Sequence, residues 1–203
     1  MNELTISHEV SELFLQNLRL KTSLQHKLLE ENTLSKAILD SGITIATYQR
    51  YLMAMYRVVK GVELTVFEKV QYMIPEINRR RKSHLIIDDL SQTGLSLVSI
   101  HSLSPATFLP QNLAEALGIL YVVEGSTLGG RLIYKHVQKN LALDATNGAS
   151  FFKGYGPETG SRWKSFIAAL CEFAVTTHSE AEIIDSAAAT FSAIDLLLKE
   201  AEN

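Results

Sequence analysis

Apolar positions recur every three or four residues along most of this chain, the spacing of helices that bury one face. A first helix is predicted from Ser7 to Glu30, with Val10, Leu13, Phe14, Leu18, Leu24 and Leu28 as its apolar side. Asn32-Thr33-Leu34 breaks it, and a short helix follows to Leu39. Ser41-Gly42 reads as a turn. Thr44 reads as the cap of a helix whose apolar side holds Tyr48, Tyr51, Leu52, Met55, Tyr56 and Val59, with Gly61 as a kink. Periodicity continues through Val66, Phe67, Val70 and Met73 until Pro75 breaks it. The polar run Arg79-Arg80-Arg81-Lys82 reads as a solvated helical turn. Leu85 to Leu90 is helical again and stops at Gly94. Residues 95–110 are mixed, and Leu97 to Ile100 has a strand-like pattern with no partner strand. A long helix is expected from Gln111 to Asn140, a loop over 147–160, and two closing helices at Ser161–Thr177 and Ser179–Ala201. The expected architecture is all-α, a single multi-helix domain over residues 1–203.

The helix over 111–140 carries glycines that a plain helix avoids, each costing about 1 kcal/mol relative to Ala. Gly118, Gly125 and Gly129 are seven and four residues apart and share one face. A bare face lets something bulky and flat lie against the backbone, and clustered glycines permit a bend around it. The same residues equally suit a close crossing with another helix.

On the first helix, Arg19, Thr22 and His26 are spaced three and four apart and line one stripe. Arg19 lies about 10.5 Å along the axis from His26. A neutral imidazole is a common metal ligand, and an arginine two turns away meets carboxylates bidentately. The pair suits a metal macrocycle with acidic side arms. His26 also sits at the border of the apolar stripe, where a half-exposed structural histidine belongs.

Composition narrows the classes. The chain is 46% hydrophobic and 20% charged, with a net charge of −3, which gives no reason to expect nucleic acid or an anionic membrane as partner. One cysteine, Cys171, excludes an internal disulfide framework, and its apolar neighbours Phe166 to Leu170 predict burial. No run of about 18 apolar residues and no signal-peptide pattern is visible, so the cytoplasm is the expected compartment. No Glu-x-x-His pair, P-loop or Gly-x-Ser-x-Gly occurs.

The two constellations together resemble the haem oxygenase family. Leu18-Arg19-Leu20-Lys21-Thr22-Ser23-Leu24-Gln25-His26-Lys27-Leu28-Leu29-Glu30 looks like its proximal helix. Tyr121-Val122-Val123-Glu124-Gly125-Ser126-Thr127-Leu128-Gly129-Gly130 looks like its distal helix. Tyr48-x-x-Tyr51-Leu52 and Asp88-Asp89-Leu90 lie between them in the expected order. The flavour is bacterial, closest to the short enzymes associated with bacteriophytochromes or iron acquisition.

The resemblance implies haem held between a proximal and a kinked distal helix, with His26 ligating iron. Gly125, Gly129 and Gly130 would let backbone approach the distal face, leaving room for O2. It also implies that haem is both cofactor and substrate. Electrons from a ferredoxin or reductase would drive O2-dependent opening of the ring to biliverdin, releasing CO and ferrous iron. The protein would supply positioning and steric direction. Arg19 is the best-placed propionate partner, with Tyr121 and Lys135 as candidates and Arg131 and Arg162 as further basic neighbours. A bacteriophytochrome is a candidate acceptor of the biliverdin.

One departure concerns proton delivery. Many animal-type members carry an Asp directly after the first distal glycine; here that residue is Ser126, which has a hydroxyl and no charge. Ser126 and Thr127, with waters on backbone carbonyls, are the candidate proton-handling groups. The substitution also keeps open a non-catalytic haem-binding or haem-delivery protein on the same fold. A thiaminase-like enzyme would share the architecture but need a nucleophilic cysteine in a polar pocket, to which Cys171 is poorly suited.

Overall fold

The computed structural model describes residues 3–202, with side chains described from Glu9 onward, so the His8 side chain lies outside the described residues. Among the described residues ten α-helices run in the order α1 (Glu3–Glu31), α2 (Thr33–Ala37), α3 (Ile45–Thr65), α4 (Phe67–Val70), α5 (Ser83–Gln92), α6 (Leu97–His101), α7 (Leu113–Leu141), α8 (Ser150–Lys153), α9 (Thr159–Thr177) and α10 (Glu180–Glu200). No strand occurs among the described residues, in keeping with the all-α expectation.

Local chemistry sets the boundaries. Thr44 accepts the Thr47 N–H at 3.1 Å and caps α3. Asn112 accepts the Glu115 N–H at 3.0 Å, and the Glu115 carboxylate takes the Gln111 N–H at 2.7 Å, so α7 starts on a reciprocal cap. Gly94, at φ +100°, lets Leu95 N–H reach back to Leu90 C=O at 3.0 Å and closes α5. Leu97–His101 is helical, contrary to its strand-like pattern, because Ser96 caps it by accepting the Ser99 N–H.

Both α1 and α7 pack chiefly on α10 rather than on each other, so α10 is the floor of a slot with those two helices as walls. One apolar core fills the space among α1, α3, α4, α7, α9 and α10, and a second lies among α3, α5, α6, α8 and the end of α7. Although α7 has the length and composition of a membrane-crossing helix, half of that window is buried inside this fold.

Two sequence expectations change here. On α1 the inward residues are Phe14 and Leu18, whereas Leu13, Leu24 and Leu28 are exposed together with Leu20. The helix carries two apolar stripes, and only one meets α10. The basic run 79–82 is not a solvated turn: Arg80 and Lys82 are only 5% and 4% exposed.

Candidate functional site

A cavity of about 310 Å³ opens where the two cores meet. That is the size range of small-molecule sites. Its walls are mainly apolar: Ile38 from the segment after α2, Met55 and Val59 from α3, Val123 from α7, and Phe151 and Phe152 from α8. Gly129, Gly130, Ser126 and Thr127 of α7 line it as well, as do Leu29 and Glu30 of α1. Leu39 and Leu132, also in the lining, are exposed, so the mouth presents apolar surface suited to a large flat hydrophobic molecule.

The α7 glycines do different things. A Cβ on Gly118 would fall 2.5 Å from the Ile183 carbonyl oxygen and 2.7 Å from Ser186 Cβ, so this glycine is the close crossing with α10. Gly125 faces the Trp163 ring, with a hypothetical Cβ 3.4 Å away. Nothing lies within 4 Å of a Cβ on Gly129. The close crossing with another helix holds at Gly118, whereas Gly129 leaves its part of the face bare. Through all of them α7 continues as helix.

His26 stands at the rim rather than in the wall. Leu29 and Glu30, which line the cavity, lie about 60° to one side and about 40° to the other around α1. The imidazole is half exposed; its Nδ1 is 3.5 Å from Glu30 Oε2, and its ring meets Phe191 of the α10 floor edge-on at 5.2 Å. The contact to Glu30 occupies Nδ1, and no hydrogen-bond partner for Nε2 occurs among the described residues. A ring nitrogen without a partner, beside an apolar slot, fits a metal macrocycle. Thr22 is buried and donates to Leu18 C=O at 2.7 Å, so its role is local to α1.

Arg19 is exposed one side of the slot, close enough to Tyr121 and Cys171 to act on both electrostatically. Burial raises the Tyr121 phenol, and the Arg19 charge opposes that. Tyr121 also packs on Trp163, ring centroids 5.6 Å apart, and none of Arg19, Tyr121 and Trp163 lines the cavity. Lys135 is exposed and about 120° around α7 from Gly129, apart from this group. Arg162 is occupied by Glu158 at 2.9 Å and lies over the Tyr155 ring. Arg131 is exposed.

The hydroxyls singled out from the sequence are turned inward. Ser126 Oγ donates to Val123 C=O at 2.7 Å, and Thr127 Oγ1 donates to Glu124 C=O at 2.6 Å. Both protons are spent on the helix's own backbone.

A buried polar cluster behind this wall was not foreseen. Glu124, 1% exposed, pairs with Arg80 and lies 3.4 Å from Lys82 Nζ, and Tyr155 Oη donates to it at 2.8 Å. Lys82 Nζ also donates to Tyr155 Oη at 3.0 Å and Lys82 contributes to the cavity lining. Nearby, buried Glu63 accepts the backbone N–H groups of Lys82 and Ser83 at 2.6 and 2.9 Å. The signal in the sequence was a lone carboxylate in each of two apolar stretches, Leu120–Glu124 and Val62–Phe67, since a buried charge requires partners.

A family model described as heme oxygenase matches residues 12–200. The chain therefore belongs to the heme oxygenase family. Among solved structures, it is similar to NO- and CO-bound heme oxygenase from Neisseria meningitidis, at 24% identity and TM-score 0.72, covering 93% of this chain and 91% of that one. Heme oxygenase from Leptospira interrogans matches at 18% identity and TM-score 0.74, over 92% of this chain and 98% of that one. Heme oxygenase-1 from the cyanobacterium Synechocystis, in complex with heme, matches at 15% identity and TM-score 0.73, over 92% and 91%. No curated protein sequence matches the chain.

Proposed function

We propose that this protein is a haem oxygenase that converts haem to biliverdin, CO and ferrous iron with O2 and electrons from a ferredoxin or reductase. The observation that carries the reading is the open backbone at Gly129 over an apolar cavity, together with an unpartnered His26 Nε2 on the facing helix. Haem is the substrate and supplies the iron at which oxygen is activated.

In this reading His26 Nε2 holds the iron, and Glu30 fixes the imidazole through Nδ1. Gly129 and Gly130 admit the macrocycle against the α7 backbone, while Gly125 packs on Trp163. Arg19 meets a propionate, with Tyr121 beside it, and Ser126 and Thr127 line the oxygen side. The walls Ile38, Met55, Val59, Phe151 and Phe152 keep water from the reacting edge. A bacteriophytochrome is the candidate recipient of the product, and the cytoplasm the compartment.

The second reading, a haem carrier, draws on the inward-turned protons of Ser126 and Thr127. Hemin added to the protein, followed by ascorbate or a reductase system in air, separates the two. A Soret band that needs His26, lost as biliverdin absorbance grows, is the oxygenase result. A His26-dependent band that survives the reductant is the carrier result, and no specific band defeats both.

A further inference from the structure

We propose that Lys82 delivers protons into the cavity from its distal wall, with Tyr155 and Glu124 as positioning residues that hold its ammonium. This inference rests on the haem oxygenase reading and names the group that the Ser126 position leaves unfilled.

The other polar groups of the distal wall have no proton to give. The hydroxyl protons of Ser126 and Thr127 go to backbone carbonyls of α7, so these side chains face the cavity as acceptors only. Among the residues lining the cavity, Lys82 is the sole cation. Its ammonium has three N–H donors. Two have partners, Tyr155 Oη at 3.0 Å and Glu124 Oε1 at 3.4 Å; Nζ also lies 4.4 Å from the Tyr155 ring centroid, and no hydrogen-bond acceptor for the third N–H occurs among the described residues.

The surroundings set its acidity. Burial lowers the Lys82 pKa from its ordinary value, and the Arg80 charge, on the same connecting segment, lowers it further. Glu124 from α7 and Glu63 from α3 oppose the shift, and Tyr155, which precedes α9, carries Arg162 over its ring. Desolvation is the largest influence and outweighs the carboxylates. A lysine loosened in this way is a stronger acid than an exposed one.

The step balances simply. One N–H bond of the ammonium breaks and its proton passes, directly or through a cavity water, to oxygen undergoing reduction by the external electron donor. The electron pair stays on Nζ, and the neutral amine regains a proton from solvent at the mouth. Lys82 exchanges no electrons.

Two readouts test this. In the protein without haem, the pH dependence of Lys82 acetylation, followed by mass spectrometry, should show half-reactivity below that of an ordinary lysine, and Tyr155→Phe should move it. In the hemin complex, Lys82→Met should keep the Soret band and hemin affinity yet convert bound haem about 10²-fold more slowly. It should also lose the alkaline fall in rate that the wild type shows. Lys82→Arg keeps the charge on a far weaker acid and should stall likewise, which carries the test if Lys82→Met does not fold. An ordinary acetylation profile, or variants that convert haem with the wild-type pH profile, would overturn the role of Lys82 alone. A wild type that binds hemin and never opens it would overturn the oxygenase reading and this proposal together.

Discussion

Gly118 and Gly129 lie on the same face of α7, about 20° apart around its axis, yet one is sealed against α10 and the other faces empty space. Adding the same methyl group at the two positions should therefore separate stability from binding. Gly118→Ala should destabilise by about 1–3 kcal/mol, since the α10 backbone it strikes has no side chain to swing away. Gly129→Ala should hold or raise stability by up to about 1 kcal/mol, from helix propensity. Gly129→Leu should fold and fail to bind hemin. Urea unfolding with hemin titration checks both; equal stability losses at the two sites would contradict the assignment.

Glu124 draws on Arg80, Lys82 and Tyr155 in the same buried volume. Arg80→Met should cost about 3 kcal/mol, the low end for breaking a buried pair, because Lys82 still faces the carboxylate. Adding Glu124→Leu should recover only part of that loss, since Lys82 then keeps Tyr155 but no carboxylate within contact distance. A double variant less stable than the sum of the singles would refute this account.

Burial raises the phenols of Tyr48 and Tyr155 well above the ordinary value and pushes Tyr51 up to about 12. The folded state holds the neutral phenol, so this stability is complete below pH 10 and is lost as pH climbs through the folded values. For Tyr51 the window is pH 10.0 to about 12. Lys82 acts in the opposite sense: its lowered value makes stability rise with pH between that value and 10.5, which offsets part of the loss. Absorbance at 295 nm should show exposed Tyr72 ionising first and the buried phenols ionising only with loss of helical circular dichroism. Ionisation of all seven tyrosines near pH 10 with intact helix would count against it.

The Cys171 thiol is buried and pushed up to about 11, against the pull of Arg19. Iodoacetamide at pH 8 should label it at least ~10²-fold more slowly in the native protein than in urea. Equal rates would mean the thiol is open to solvent.

The sequence revealed local features and hid those that depend on a distant partner. Thr44, Pro75 and Gly94 act through residues within a turn of themselves, and the elements they delimit were predictable. The buried side of α1 was not, because Leu13, Leu24 and Leu28 repeat as regularly as Phe14 and Leu18, and only the position of α10 chooses between the stripes. Arg80 and Lys82 looked solvated because Glu124, which draws them inward, stands more than forty residues away. Gly118 and Gly129 share one helical face, and the approach of α10 distinguishes them. His26 and Arg19 were legible as a pair from spacing, whereas Lys82 could be found only once the chain had folded.

Asp89 of α5 never touches the cavity, yet it grips the end of α8. It accepts the Ser150 and Phe151 N–H groups, each at 2.8 Å, and the Ser150 hydroxyl at 2.7 Å. At four residues α8 is too short to hold itself, and it carries Phe151 and Phe152, the far wall of the cavity. The depth to which a guest can enter is thus gauged by one carboxylate on a neighbouring helix, and changes in α5 can retune which guests fit without altering a single residue that meets them.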